Sequence, residues 1–271
     1  MQVAEPLTAA WRADLHLEFT FRQQKSILSG KRFNGPLVVQ KPLYPEGEGV
    51  CHAIIVHPPG GIAGGDELFL DVASGPSAHA LLTTPGAGKW YRSAGPWARQ
   101  SLSFDVAGTL EWLPRETIVF DGAQADLRTR VDLRGDARYF GWEVLCLGRT
   151  GSGESFRRGS VRLQTEVRRD GRLLWTERGR IHGGGALLDA PAGMAGRTVC
   201  GTLVAASSAF SKEIISACKE VAATTVLPGI LLARYLGDSS EEAMSVFTRL
   251  WMLLRPATTG REASIPRIWS T

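Results

Sequence analysis

The sequence predicts a mainly β protein, one domain over residues 1–271, with two helices near its C-terminal end. Three observations carry that prediction. Apolar and polar residues alternate with period two in segment after segment, the pattern of strands with one buried face. Helical periodicity is confined to two late segments, after residue 210. The strand segments follow one another without intervening helices, which disfavours a doubly wound parallel sheet. No low-complexity tract, repeat period or linker divides the chain.

Taken in order, Leu15, Leu17, Phe19 and Phe21 alternate with His16, Glu18, Thr20 and Arg22, a half-buried strand. Strand patterns recur at CHAIIVH (51–57), ELFLDVA (67–73), AHALLTT (78–84), QSLSFDVA (100–107), TLEWL (109–113) and ETIVF (116–120). DLRTRVDL (126–133) and YFGWEVLCL (139–147) continue the series. VRLQTEV (161–167) and RLLWTERGRI (172–181) flank Asp170-Gly171, a pair that tolerates the positive φ of a tight turn, so they form a hairpin. A helix is expected over 211–225 and a stronger one over 239–255. In the latter, Ser239 and Glu242 fit a capping box, and Met244, Phe247, Trp251 and Leu254 form one apolar stripe for core packing. Pro256 is expected to end that helix.

Hydrophobic residues make up 44% of the 271 and charged residues 21%, enough for a packed core. The net charge is +4, and arginines gather only loosely at 149–169, so a nucleic-acid-binding stripe is not indicated. Cys51, Cys146, Cys200 and Cys218 lie far apart with no paired spacing. The first residues show no signal-peptide pattern, and no apolar run reaches membrane-spanning length. The expectation is a cytoplasmic protein with reduced thiols and no membrane partner.

TTPGAGKWYRS (83–93) raises the question of a nucleotide site. A phosphate-cradling loop needs a glycine where Thr83 stands and a magnesium-binding hydroxyl where Trp90 stands, so no nucleotide is expected there. No G-x-S-x-G nucleophile elbow and no H-E-x-x-H zinc motif occurs, and Ser152 in GSGE carries no mark of activation. Cys51 and His57 share one strand face by parity while His52 points away, a pattern that favours packing over a metal cage. Two Gly-Gly pairs in HPPGGIAGGDE (57–67), and His182-Gly183-Gly184-Gly185, permit tight bends.

HPPGGIAGGD (57–66), TTPGAGKWYRS (83–93), LEWLPRETIVFDGA (110–123), GWEVLCLGRTGSGE (141–154) and LRP…GRE…PRIWST (254–271) together resemble the urease accessory protein UreD family, called UreH in some organisms. The five blocks occur in the family's order. Ala257-Thr258-Thr259 departs from it, standing where a more apolar run is expected. The resemblance implies an irregular β-helix-like stack of strands with two helices. It also implies a non-enzymatic maturation chaperone that joins UreF and UreG, docks on apo-urease and supports nickel insertion. The GTPase of the pathway is then UreG, and no cofactor is held tightly.

A protein that passes Ni²⁺ onward should avoid deep thiolate and imidazole cages, because such donors hold the ion tightly. Carboxylates exchange more readily. Asp66, Glu116, Asp121 and Glu143, all within the resembling blocks, are the candidate residues for Ni²⁺ in transit. In the tail, Arg255, Arg261, Arg267 and Trp269 are the candidate partner-binding residues, of types enriched in interface hot spots. The competing expectation is that Ile268 and Trp269 pin the tail to the protein's own core as a final strand. Two other functions remain open: a small β-rich hydrolase with a Cys or Ser nucleophile, and a stand-alone nickel store, which the poor ligand spacing disfavours.

Overall fold

The computed structural model describes residues 10–270; the expectations for residues 1–9 and for Thr271 lie outside it. Among the described residues, seventeen strands are arranged in two sheets. In chain order they are Arg12–Arg22 (β1), Lys25–Asn34 (β2), Val38–Val39 (β3), Cys51–Val56 (β4), Glu67–Ser74 (β5) and His79–Thr83 (β6). Gly88–Trp90 (β7), Ala98–Val106 (β8), Thr109–Leu113 (β9), Thr117–Val119 (β10), Gln124–Leu133 (β11) and Arg138–Leu147 (β12) follow. The last five are Ser160–Arg169 (β13), Arg172–His182 (β14), Val199–Ala206 (β15), Ala223–Leu227 (β16) and Ile230–Gly237 (β17). The helices are a single turn, Ala186–Asp189 (α1), and two longer ones, Lys212–Val221 (α2) and Ser240–Thr259 (α3).

Three consecutive passes build the stack. β5 leads to β6, β8 to β9 and β11 to β12, each crossing from the seven-stranded sheet to the ten-stranded one. Strands stacked in this way pair in parallel: β1, β5, β8, β11 and β13 in one sheet, and β4, β6, β9 and β12 in the other. Antiparallel partners finish both ends: β2 on β1, β14 on β13, and β15, β17 and β16 beyond β12. This is the irregular β-helix-like stack that the resemblance implied.

The ten-stranded sheet is buried on both faces. In β12, Tyr139, Leu145 and Leu147 face the other sheet, while Phe140, Trp142, Val144 and Cys146 face α2 and α3. Burial on both sides explains why YFGWEVLCL reads as an almost continuous apolar run. The stripe Met244, Phe247, Trp251 and Leu254 packs on this second face, as expected. Phe247 sits so close to Gly201 that a β-carbon there would lie 2.7 Å from its ring. The seven-stranded sheet keeps its outer face in solvent, and there the charged residues pair.

Two helix boundaries differ from expectation. The first late helix stops at Val221, and residues 223–227 form β16 instead. Thr224, Thr225 and Val226 are β-branched and find ladder partners on β17, so tertiary pairing overrides the local helical pattern. Pro256 does not end α3, which continues to Thr259. Proline removes one ladder donor, but the last turn is held by Thr258 and Thr259 hydroxyls, donated to the carbonyls of Leu254 and Arg255 at 2.8 Å. Gly260, with φ of 69°, then caps the helix. The Thr258-Thr259 departure from the family pattern therefore has a local role. The tail is not a final strand: Arg267–Ser270 forms a short 3₁₀ turn.

Candidate functional site: a cavity between the sheets

A cavity of about 700 Å³ runs between the two sheets. Its walls are mostly apolar, with Leu68, Leu102, Leu127 and Leu163 on one side and Trp112 and Leu145 on the other. Charged residues interrupt that lining: the carboxylates Glu143 on β12 and Glu177 on β14, and the cations Lys89, Arg115, Arg128, Arg178, Arg180 and Arg234, with Cys200 on β15 also in the wall. Parity puts the two carboxylates there: Glu143 shares its strand face with Tyr139 and Leu145, and Glu177 shares its face with Trp175 and Ile181. What surface Glu143 keeps opens into the cavity. Burial, and then the neighbouring charge of Glu177, push its carboxyl up to about 7. Glu177 is anchored at 2.5 Å by Arg234, which also donates to the Thr202 hydroxyl at 3.0 Å. A half-protonated carboxyl beside a second carboxylate is a place where a divalent cation can displace a proton and later give it back. Among the described residues no group of three or more His, Cys, Asp or Glu converges to hold a metal ion, so this pair is no closed cage.

Of the four carboxylates proposed from the sequence, the structure brings only Glu143 to the cavity wall. Asp66 accepts the backbone N–H groups of Trp11 at 2.9 Å and Ala63 at 2.8 Å, closing the glycine-rich bend where Gly60 and Gly65 have φ of 77° and 98°. Asp121 accepts the N–H groups of Arg157 and Arg158, each at 2.8 Å, and the Arg158 guanidinium at 2.8 Å. Burial alone would raise the Asp121 carboxyl, but these donors outweigh it and hold it low. Glu116 lies beside Arg115 at 3.5 Å, and its Oε2 accepts no hydrogen bond. These three are separate structural carboxylates, each with its own surroundings.

The 83–93 stretch forms the cavity's rim. Thr83 is buried in β6, its hydroxyl donated to the Leu113 carbonyl at 2.6 Å. Gly88, Lys89 and Trp90 form β7, which pairs with β10. No helix follows to point its N-terminus at a phosphate, and Trp90 is fully buried. His57 lies at the loop after β4, on the cavity wall away from Glu143's strand, while His52 on the opposite face of β4 bonds Glu46 at 2.6 Å.

That second face holds a buried ionic cluster that sequence reading missed. Arg255 is fully buried and donates to Glu46 at 2.6 and 2.9 Å and to Glu111 at 3.0 Å. Glu111 also takes the Trp251 indole N–H and His79, each at 2.5 Å. Arg255 thus faces inward and ties α3 to β9 and to the loop before β4, while His52 of β4 and His79 of β6 bond the same two carboxylates. Trp269 also turns inward, donating to Thr83 Oγ1 at 2.8 Å with its ring 5.9 Å from Trp142. Arg261 and Arg267 are exposed. The thiols are held protonated by burial: Cys146 and Cys200 are pushed up to about 12 and Cys218 to about 11, the reverse of an activated nucleophile.

A family model described as UreD urease accessory protein matches residues 12–270. The chain belongs to the UreD urease accessory protein family. It is 53% identical over 281 residues to the urease accessory protein UreD of Azoarcus sp. (strain BH72), covering 100% of this chain and 97% of that protein. It is 51% identical over 274 residues to that of Dechloromonas aromatica (strain RCB), covering 97% and 95%. It is 51% identical over 270 residues to that of Pseudomonas aeruginosa PAO1, covering 97% and 96%. Membership places the chain in urease maturation. No helix among the described residues is long and apolar enough to cross a membrane.

Proposed function

We propose that this UreD-family chain is a non-enzymatic maturation scaffold of the cytoplasm that joins UreF and UreG, docks on apo-urease and guides Ni²⁺ through the cavity between its sheets. The observation that carries the nickel path is the pair Glu143 and Glu177, the two carboxylates on the wall of a cavity of about 700 Å³. Two carboxylates attract the ion, and the lack of thiolate or imidazole around them lets it leave. Cys200 stands close by; burial, and then Glu143 and Glu177, push its thiol up to about 12, which disfavours a thiolate there before the ion arrives. The test is reconstitution: UreF, UreG and apo-urease are combined with and without this chain, and co-purification and urease activation are measured. Activation that is equal without the chain, or failure of the four to associate, would refute the proposal.

A further inference from the structure

The outer face of the seven-stranded sheet carries a row of charges that ends unbalanced; its last residue, Arg180, also borders the cavity. Strand register sets Arg12, Glu67, Arg99, Asp126, Arg162 and Arg180 side by side across β1, β5, β8, β11, β13 and β14. The signs alternate along the first four. Glu67 lies 3.7 Å from Arg12 and 3.4 Å from Arg99, and Asp126 takes Arg99 at 3.3 Å. Asp126 also holds Arg128 at 2.8 and 3.1 Å, so its oxygens are engaged before Arg162 is reached. The row then ends on two arginines directly opposite each other. Like charges in such cross-strand pairs repel, and a sheet face laced with ion pairs elsewhere has no internal need for them.

Among the described residues neither guanidinium has an ion-pair partner; both instead sit on the indole of Trp97. Arg162 lies 3.8 Å from the ring centroid and Arg180 5.7 Å. Stacking on the indole leaves the forked N–H groups at the rim free to accept planar anions. β14 is also the edge of its sheet, so an added strand could pair with it and place every second side chain on this face. An acidic side chain opposite Arg180 would restore the alternation of signs.

We propose that this arginine–indole corner docks an extended acidic segment of a partner protein by strand addition to β14, with its carboxylates on Arg162 and Arg180. A nucleic acid fits poorly, because Asp105, Asp126, Asp132 and Glu166 project from the same sheet and would repel a run of phosphates.

The test uses the full chain and a fluorescein-labelled peptide of alternating glutamate and threonine, about eight residues long to match a strand. A glutamine version of the peptide and a single-stranded oligothymidylate serve as comparators in fluorescence anisotropy. Saturable binding of the glutamate peptide is expected, weakened about tenfold or more in Arg162→Gln/Arg180→Gln, with the melting temperature unchanged. Arg130→Gln makes half that charge change on the same face, at an arginine already paired with Asp132 at 2.6 Å, and should leave binding within about twofold. Absence of saturable binding, an equal loss in Arg130→Gln, or tighter binding of the oligothymidylate would each overturn the proposal. So would an affinity gain of about tenfold or more on deleting residues 1–9, since the chain's own end would then be the occupant.

Discussion

Replacing Glu143 by Gln should make the isolated protein more stable at pH 8 while making it a poorer nickel conduit. The carboxyl is held at about 7 in the folded chain, against an ordinary value of 4.5, by burial and then by Glu177. Between those two values the folded chain keeps a proton that the unfolded chain has released. Stability therefore falls as pH rises through that window, and the penalty is complete above pH 7. At about 1.4 kcal/mol per tenfold in proton affinity, the penalty is about 3 kcal/mol. Glutamine has the same shape and no charge, so it removes the penalty, less whatever its amide loses by imperfect hydrogen bonding. For a chain of this length about 2 °C of melting temperature accompanies each kcal/mol, so a rise of about 5 °C is expected at pH 8 and almost none at pH 5. Thermal denaturation followed by circular dichroism at both pH values is the assay. An equal shift at the two pH values, or a fall at pH 8, would show that the Glu143 carboxyl is not raised by burial beside Glu177.

Arg255→Ala leaves Glu46 and Glu111 buried without their shared cation and should lower stability by about 3–5 kcal/mol, seen as a fall of about 6–10 °C in the same melt. Glu46 has the opposite sign to Glu143: burial would raise it, but His52 and Arg255 hold it at about 2, so its contribution is full above about 4.5 and is lost as pH falls toward 2. Glu46→Gln should accordingly flatten the acid limb of the stability curve, and an unchanged limb would count against the buried cluster. Deleting residues 265–271 removes the Trp269 contacts with Thr83 and Trp142 and should give an insoluble or low-melting chain; a well-folded truncation that no longer captures its partners would instead assign the tail to an interface. Replacing all four cysteines by Ala or Ser should reduce stability more than Ni²⁺ affinity, checked by melting and by equilibrium dialysis, because three of the four are buried as small apolar groups.

Much of the strand architecture was legible because alternation survives wherever one sheet face is buried, as in β5 and β8. β16 was not, since its strand state depends on β17, which lies beyond it in sequence. The end of α3 is not legible from Pro256 alone, because the threonine hydroxyls and Gly260 complete the turn beyond it. At the site, Glu143 was legible but the company it keeps was not. Which carboxylates share a space is decided by how the two sheets face each other, and residues 143 and 177 meet only through that packing. A signal for Glu177 did exist: it is the charged residue on the apolar parity of RLLWTERGRI, between Trp175 and Ile181. Glu111, inside the wholly buried TLEWL, carried the same kind of signal for the cluster around Arg255. Asp66 and Asp121 gave no such sign, because they lie at strand ends where carboxylates commonly accept backbone N–H groups.

On the proposed path, nickel reaches urease past Glu143 and Glu177. The most direct measurement is the nickel content of urease matured in a reconstituted mixture of UreF, UreG, apo-urease and this chain carrying Glu143→Ala/Glu177→Ala. A complex that assembles in normal yield yet delivers little nickel is expected, with Glu143→Gln/Glu177→Gln milder because an amide oxygen can still ligate the ion. Full nickel loading by the alanine variant, with the complex intact, would contradict it.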